Sequence, residues 1–506
     1  MLHITRTPLV LAAVCATIAI IGCGGGASEE ASSPLDNALG YLPEDAPFVI
    51  VAETDPDGEQ IQSIRSILER FPFAGQVTGQ LESALADRDI DYERDVKPLL
   101  GNQVVIGGTD AAALVDDGED DEEFVGAVEA NDGKRLTELL ERDGPKKSGE
   151  RNGATIYESD DGNAFAVEGD TFIVAGTRKL LEAALEQREA GDRLTEDAFA
   201  QNTEGMPEAA GLRGSFDVQG LLEADPDTAD ARKVKWVSAL RQTGFAVSFA
   251  DDSASVDFRV ATDDGELEEA DLPFAAGEQS PPVLETPGEI GAGLRDLSQL
   301  VRFGEATGQT VDPQGYGQYN SGKQTLEQRL DIDIQRDLLD QLEGDIATSV
   351  AIGGDAYSVR AQLADPDAFK ATLEKLEPVL PGIVESSVGG PVELSGPSAG
   401  GLYELRTPAG PVSFGVSDGL FVLGNEGRAA GLASSEPVAV EGAEGAVSMR
   451  ADAEQVATQI LGRLGEIVPG GAVGTSFVVG PLDELSGSMR AEPDGVSGTL
   501  RLTLDE

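Results

Sequence analysis

Two stretches of this chain place side chains in patterns associated with catalysis. The run GPSAG at Gly396–Gly400 has the spacing of a nucleophile elbow, in which a serine on a tight strand-to-helix turn attacks an acyl carbon. That residue, Ser398, needs a base to take its proton, and its flanks, SSVGGPVELSGPSAGG, read as loop. The run GQYNSGKQT from Gly317 has the glycine and lysine spacing of a phosphate loop. Gln324, however, stands where a Ser or Thr hydroxyl must hold magnesium, and no strand precedes the run. Each pattern lacks the group that its chemistry requires.

Carboxylates offer oxygen ligands for calcium. DDGEDDEE at Asp116–Glu123 is dense in them but lacks the glycine and ligand spacing of an EF-hand. ETDPDGEQIQSI from Glu53 has acids at loop positions one, three and five and glycine at six, then ends in Ile64 where a bidentate Glu is required. Such runs are ordinarily solvated loops, so no metal and no cofactor is assigned. A carboxylate pair for glycoside chemistry is defined by its separation in space and has no signature in sequence.

The chain has one histidine, His3, and two cysteines, Cys15 and Cys23. A single Arg6 is followed by the apolar run PLVLAAVCATIAIIG, which ends in a small residue before Cys23. That is the pattern of an export signal. A spanning helix needs about 20 apolar residues, and here GGGASEEASS follows a shorter run. Ile20, Ile21, Gly22 and Cys23 look like a bacterial lipobox, which implies lipid on Cys23 and cleavage at its amino side. Two or more acyl chains anchor stably, each buried methylene contributing about 0.8 kcal/mol. Cleavage removes His3 and Cys15. The mature chain then has no imidazole and no free thiol, and so no Ser-His triad, histidine base or thiolate zinc site. No catalytic residue is assigned, and the expectation is a protein that is not an enzyme.

The formal net charge is −56. Such a body repels phosphate backbones, so nucleic acid is excluded as a partner. The most basic short segment, with Arg232, Lys233, Lys235 and Arg241 around Trp236, reads as a helix burying Val234, Trp236 and Val237, a docking patch being the alternative.

The elements that would position these groups repeat. DIDYERDV from Asp89 returns as DIDIQRDL from Asp331, VVIGG at Val104 as VAIGG at Val350, IYE at Ile156 as LYE at Leu402, and FAVEGDTFIV at Phe165 as FGVSDGLFVL at Phe414. Each unit begins with a strand (from Phe48 and from Glu289) and passes through amphipathic helices to a three-stranded meander with polar, glycine-containing turns. Thr177 and Asn425 stand at N-cap positions, and each unit closes on a helix and a hairpin. Alternation in VDFRV and LRLTL marks one wet sheet face. These features predict an α+β fold, internally duplicated, with mostly antiparallel sheets and helices packed on one side of each.

The predicted organisation is a signal peptide over 1–22, lipidated Cys23 and a Gly/Ser/Glu-rich tether over 23–38, a first repeat over 39–264, a linker over 265–282 and a second repeat over 283–506. From Phe303 to Asp331 the second copy spends 28 positions where the first spends 16 from Phe73 to Asp89, and the extra length falls within TGQTVDPQGYGQYNSGKQT. Its Tyr316 and Tyr319, among Gly, Gln, Asn and Pro, read as an interaction loop or as an idle surface insertion.

The opening of the body, ALGYLPEDAPFVIVAETD from Ala38, resembles the start of a family of bacterial exported proteins known as domain of unknown function 3352. The resemblance implies export and a long two-part body, and it carries no activity and no catalytic residues. The expectation is a surface-exposed cell-envelope lipoprotein on the outer face of the membrane that binds an envelope protein, a wall component or a small ligand, or has a structural role. A lipid or small-molecule carrier is the alternative, and a carboxylate- or metal-dependent enzyme a third reading.

Overall fold

The computed structural model describes residues 33–505 apart from 73, 87–89, 116–123, 144, 160–161, 264–266, 399, 426 and 460–478. The signal, Cys23, most of the tether, Asp89 and the run Asp116–Glu123 lie outside the described residues. Two compact units are present: the first runs to Ala229 and takes in Leu240–Ala261, and the second is Asp230–Ala239 with Thr262–Asp505.

In the first unit α1 (Pro34–Leu39) leads into β1 (Phe48–Ala52), α2 (Glu59–Glu69) and α3 (Ala74–Ala86). A π turn (Tyr92–Val96), β2 (Val104–Gly108), β3 (Phe124–Glu129) and α4 (Gly133–Asp143) follow. The meander is β4 (Lys146–Arg151), β5 (Ala154–Glu158), β6 (Ala164–Glu168) and β7 (Thr171–Ala175). Then come α5 (Arg178–Ala190), α6 (Glu196–Asn202), β8 (Leu212–Asp217), α7 (Val218–Ala224), and the hairpin strands β9 (Leu240–Ala250) and β10 (Ser253–Thr262). The strand order is β4-β5-β6-β7-β3-β2-β1-β8-β9-β10, antiparallel from β4 to β9.

The second unit takes in α8 (Lys235–Ala239) and then runs β11 (Glu289–Arg295), α9 (Leu297–Val311), α10 (Pro313–Leu330), a π turn (Gln335–Leu339), β12 (Leu342–Ala351) and β13 (Tyr357–Leu363). It continues through α11 (Pro366–Leu376), α12 (Leu380–Val388), β14 (Glu393–Ser395), β15 (Leu402–Thr407), β16 (Gly410–Ser417) and β17 (Leu420–Asn425). The short α13 (Ala429–Leu432) precedes β18 (Val447–Asp452), β19 (Leu482–Glu492) and β20 (Gly495–Leu504). Its order, β14-β15-β16-β17-β13-β12-β11-β18-β19-β20, is that of the first unit strand for strand, and it is antiparallel throughout. Tyr157 pairs with Phe165 and Tyr403 with Phe414. Phe172 pairs with Val167 and Phe421 with Val416, so these phenylalanines hold the same place in the order.

An α+β fold with a large antiparallel sheet is present, and its helices cover both faces, which departs from the expectation of one. In the first unit Leu39, Leu181 and Leu185 pack on the face of Val49, Val105 and Ile173, while Leu136 and Leu140 pack on that of Phe165, Phe172 and Val174. In the second, Phe369 and Leu373 cover Tyr403 and Phe414, and Ala429 and Leu432 cover Ala347 and Val422. The central strands are apolar on both faces, as β6 and β7 show in their nearly continuous burial. The alternation in VDFRV and LRLTL belongs to β10 and β20, whose residues are mostly half-buried or exposed. Backbone approach matters at Gly214 in β8, where a Cβ would lie 2.5 Å from the Phe245 ring and 2.6 Å from the Val49 carbonyl oxygen.

Candidate functional site

The sequence candidates sort by position. Ser398 is exposed in the loop between β14 and β15, its Oγ accepting from the Leu402 N–H at 3.4 Å, and no strand-to-helix turn surrounds it. GQYNSGKQT lies inside α10, where helical backbone builds no phosphate cradle, and Lys323 Nζ donates to Glu305 at 2.7 Å. In the Glu53 loop the acids serve the turn itself. Glu53 Oε1 accepts from the Thr54 and Asp55 N–H groups at 2.8 and 2.9 Å, and Asp55 Oδ1 from that of Asp57 at 3.0 Å. Among the described residues no group of three acidic side chains is placed to hold a metal.

The basic segment is not the single helix expected: Ala231–Lys233 is a 3-10 turn, only α8 (Lys235–Ala239) is α-helical, with Trp236 and Val237 half-buried, and Arg241 lies in β9. Val234 is buried, Trp236 packs edge-on to Phe303 at 6.2 Å, and Lys235 binds Asp271 at 2.5 Å. Thr177 caps α5 through the Leu180 N–H at 3.3 Å. Asn425 does not cap a helix: its Oδ1 accepts from the Tyr357 N–H at 3.0 Å, and its Nδ2 donates to the Asp355 carbonyl at 2.5 Å.

The YLPEDAP stretch buries Tyr41, Leu42, Ala46 and Pro47 and leaves Glu44 and Asp45 exposed. Tyr41 is fully buried, its hydroxyl donates to Glu168 Oε2 at 2.7 Å, and the Arg188 guanidinium lies 4.5 Å over its ring. Arg188 also stands 3.5 Å from Glu168 and donates to the Asn37 carbonyl at 2.6 Å. Burial first, and the Glu168 carboxylate next, push the tyrosine hydroxyl above its ordinary pKa. It stays neutral and serves as a donor.

The stretch expected as an interaction loop is helical instead. Asp312 accepts from the Gly315 N–H at 2.9 Å, Pro313 occupies the first turn, and α10 stands beside α9 as a helical hairpin. A side-chain cap and a proline at N1 start a helix through a composition otherwise typical of loops. Tyr316 and Tyr319 lie one turn apart with ring centroids 6.1 Å from each other. Tyr319 is 51% exposed and donates to Glu305 at 2.8 Å.

At the foot of this hairpin is a cleft of about 340 Å³, walled by Arg295, Asp296, Ser298, Arg302, Asp340 and Leu342. Asp296, at φ 50°, follows β11 and caps α9 by accepting from the Gln299 N–H at 3.1 Å. Ser298, 5% exposed, donates to Asp340 Oδ1 at 2.8 Å and accepts from Gln335 Nε2 at 2.6 Å and Arg302 Nη1 at 2.5 Å. Arg295 is bonded to Asp345 at 3.1 Å. None of these wall residues forms a recognisable motif. The one local signal is the Asp296–Gln299 cap, which sequence reasoning passed over.

Among the described residues no helix is long and apolar enough to cross a membrane. No curated protein matches the chain. Solved structures described as crystal forms III and I of TP0453 resemble it at 10% and 11% identity, with TM-scores of 0.27 and 0.26. They cover 46% and 47% of this chain and 82% of each of those chains. Over residues 6–206, which include the buried Tyr41 stretch, the chain matches the family described as protein of unknown function DUF3352.

Proposed function

We propose that this protein is a lipid-anchored cell-envelope lipoprotein, held on the outer face of the membrane through Cys23, that works as a binding or structural module. The observation that carries the binding role is the helical hairpin of the second unit, with the exposed Tyr319 on α10 and a polar cleft at its foot. The export pattern and lipobox support the anchor. Two copies of one ancestral unit, over 39–264 and 283–506, account for the shared strand order, and the hairpin is where the second copy is longer.

Cross-linking in intact cells, followed by identification of the captured partners, tests the binding role, and recovery of no partner counts against it. Cys23→Ser should leave an uncleaved or soluble form and take the mature protein out of the detergent phase; unchanged partitioning would place the anchor elsewhere. The carrier reading predicts a stoichiometric ligand in solvent extracts of the purified body, detectable by mass spectrometry.

A further inference from the structure

We propose that the cleft at the foot of the hairpin takes a neutral polyhydroxylated ligand, a saccharide, whose hydroxyls bridge Arg302 to Asp296 and donate to the open Oδ2 of Asp340. The inference rests on the reading of the chain as a binding module and names the ligand class for this site. At about 340 Å³ the cleft falls at the small end of ligand sites, which run from about 300 to 1,000 Å³.

Charge decides the class. Two guanidiniums, Arg295 and Arg302, share the walls with two carboxylates, Asp296 and Asp340, and Arg295 is engaged by Asp345. An anion entering here meets carboxylates and a cation meets guanidiniums, so either loses water without a dominant opposite charge. A ligand hydroxyl both donates and accepts, which suits a wall where donors and acceptors alternate.

The spacing is that of a site with room between its partners. Arg302 Nη2 stands 3.8 Å from Asp296 Oδ2, and its Nη1 stands 3.7 Å from Asp340 Oδ1. The second gap is already bridged by the Ser298 hydroxyl, 2.5 Å from Nη1 and 2.8 Å from Oδ1, while the first is too long for a direct hydrogen bond and a ligand hydroxyl oxygen about 2.8 Å from each of its atoms spans it. The bonds made by Ser298 and Gln335 to Asp340, and by the Gln299 N–H to Asp296, all fall on Oδ1. Among the described residues neither Oδ2 takes a hydrogen bond. Ser298, buried and bonded to Arg302, Gln335 and Asp340, is a positioning residue that holds the wall before the ligand arrives.

Saturation-transfer NMR and calorimetry on the full mature chain provide the test, with methyl α-glucoside, methyl α-mannoside and N-acetylglucosamine as neutral probes and inorganic phosphate and ethanolamine as charged ones. At least one neutral probe should bind, with an affinity unchanged in about 0.5 M sodium chloride. Arg302→Gln and Asp340→Asn should each weaken it about tenfold or more while the melting temperature holds. Binding of a charged probe alone, no binding of any probe, or saccharide binding equal to wild type in both variants overturns the inference. A chain that still captures a macromolecule in cells but binds no saccharide overturns this inference and leaves the binding-module reading standing.

Discussion

Asp333 donates its backbone N–H to Asp337 Oδ2 at 2.8 Å and accepts the Arg336 N–H on its own Oδ1 at 2.9 Å. The first unit makes the same clasp from Asp91, which donates to Asp95 Oδ2 at 2.9 Å and accepts from the Arg94 N–H at 2.8 Å. The repeated D-x-x-R-D therefore has a physical purpose: two carboxylates satisfy the open N–H groups of one π turn from both ends. Asp91→Ala and Asp333→Ala should each cost about 1 kcal/mol, the usual loss for a side-chain cap, in urea unfolding. If Asp333→Ala leaves unfolding untouched while Asp91→Ala does not, the clasp is idle in the second unit.

The two clasps differ in what surrounds the second aspartate. Asp95 is 5% exposed and meets three guanidiniums: Arg94 at 2.5 Å, Arg142 at 3.3 Å and Arg135 at 3.9 Å. The Arg94 hydrogen bonds hold its carboxyl far below the usual range, with the Asp91 N–H and Arg142 adding to the effect. A depressed folded pKa stabilises the fold above the unfolded value, about 3.9 for Asp, and that stability drains away as pH falls from there toward the folded value. Asp95→Asn should cost about 1–2 kcal/mol at pH 7, a figure reduced for the half-exposed arginines, and its cost should shrink in unfolding measured near pH 3. Equal cost at both pH values would show that shape rather than charge matters at this position.

Tyr41 accounts for the aromatic residue of the YLPEDAP stretch. Tyr41→Phe keeps the ring beneath Arg188 and removes only the donor to Glu168, so thermal unfolding should show a loss of about 1–2 kcal/mol. A variant as stable as wild type would mean that Arg188 alone satisfies Glu168.

Much of the fold is legible where side-chain pairing and sequence repetition coincide. Tyr157 and Tyr403 face Phe165 and Phe414 because an apolar cross-strand pair constrains both residues at once, and both units keep it. The shared tripeptide in VVIGG and VAIGG misleads. Phe172 pairs with Val128 and Val128 with Val104, whereas Phe421 pairs with Ala361 and Ala361 with Ile346. Ile346 thus holds the place of Val104, and Gly353 and Gly354 lie in the turn after β12. The cleft escapes sequence reading for a different reason. Arg295 ends one strand and Asp296 follows it, Ser298 and Arg302 open one helix, and Asp340 follows a π turn far downstream, so only the closed fold assembles them.

The hairpin of the second unit gives the last prediction. Tyr319 is half exposed, and Glu305 would keep Lys323 at 2.7 Å if the tyrosine hydroxyl were lost. Tyr316 packs against Tyr319 on the same helix. Replacing both by alanine removes an aromatic contact at the surface and one exposed hydrogen bond, so the fold should lose no more than about 1 kcal/mol in thermal unfolding. Alanine is also the better helix former, which offsets part of that loss. If the hairpin is the recognition surface, cross-linking in cells with the double variant should no longer capture the partner seen with wild type. A fall in stability of several kcal/mol would make the two tyrosines packing residues of the hairpin. Undiminished capture at unchanged stability would move the recognition surface away from α10.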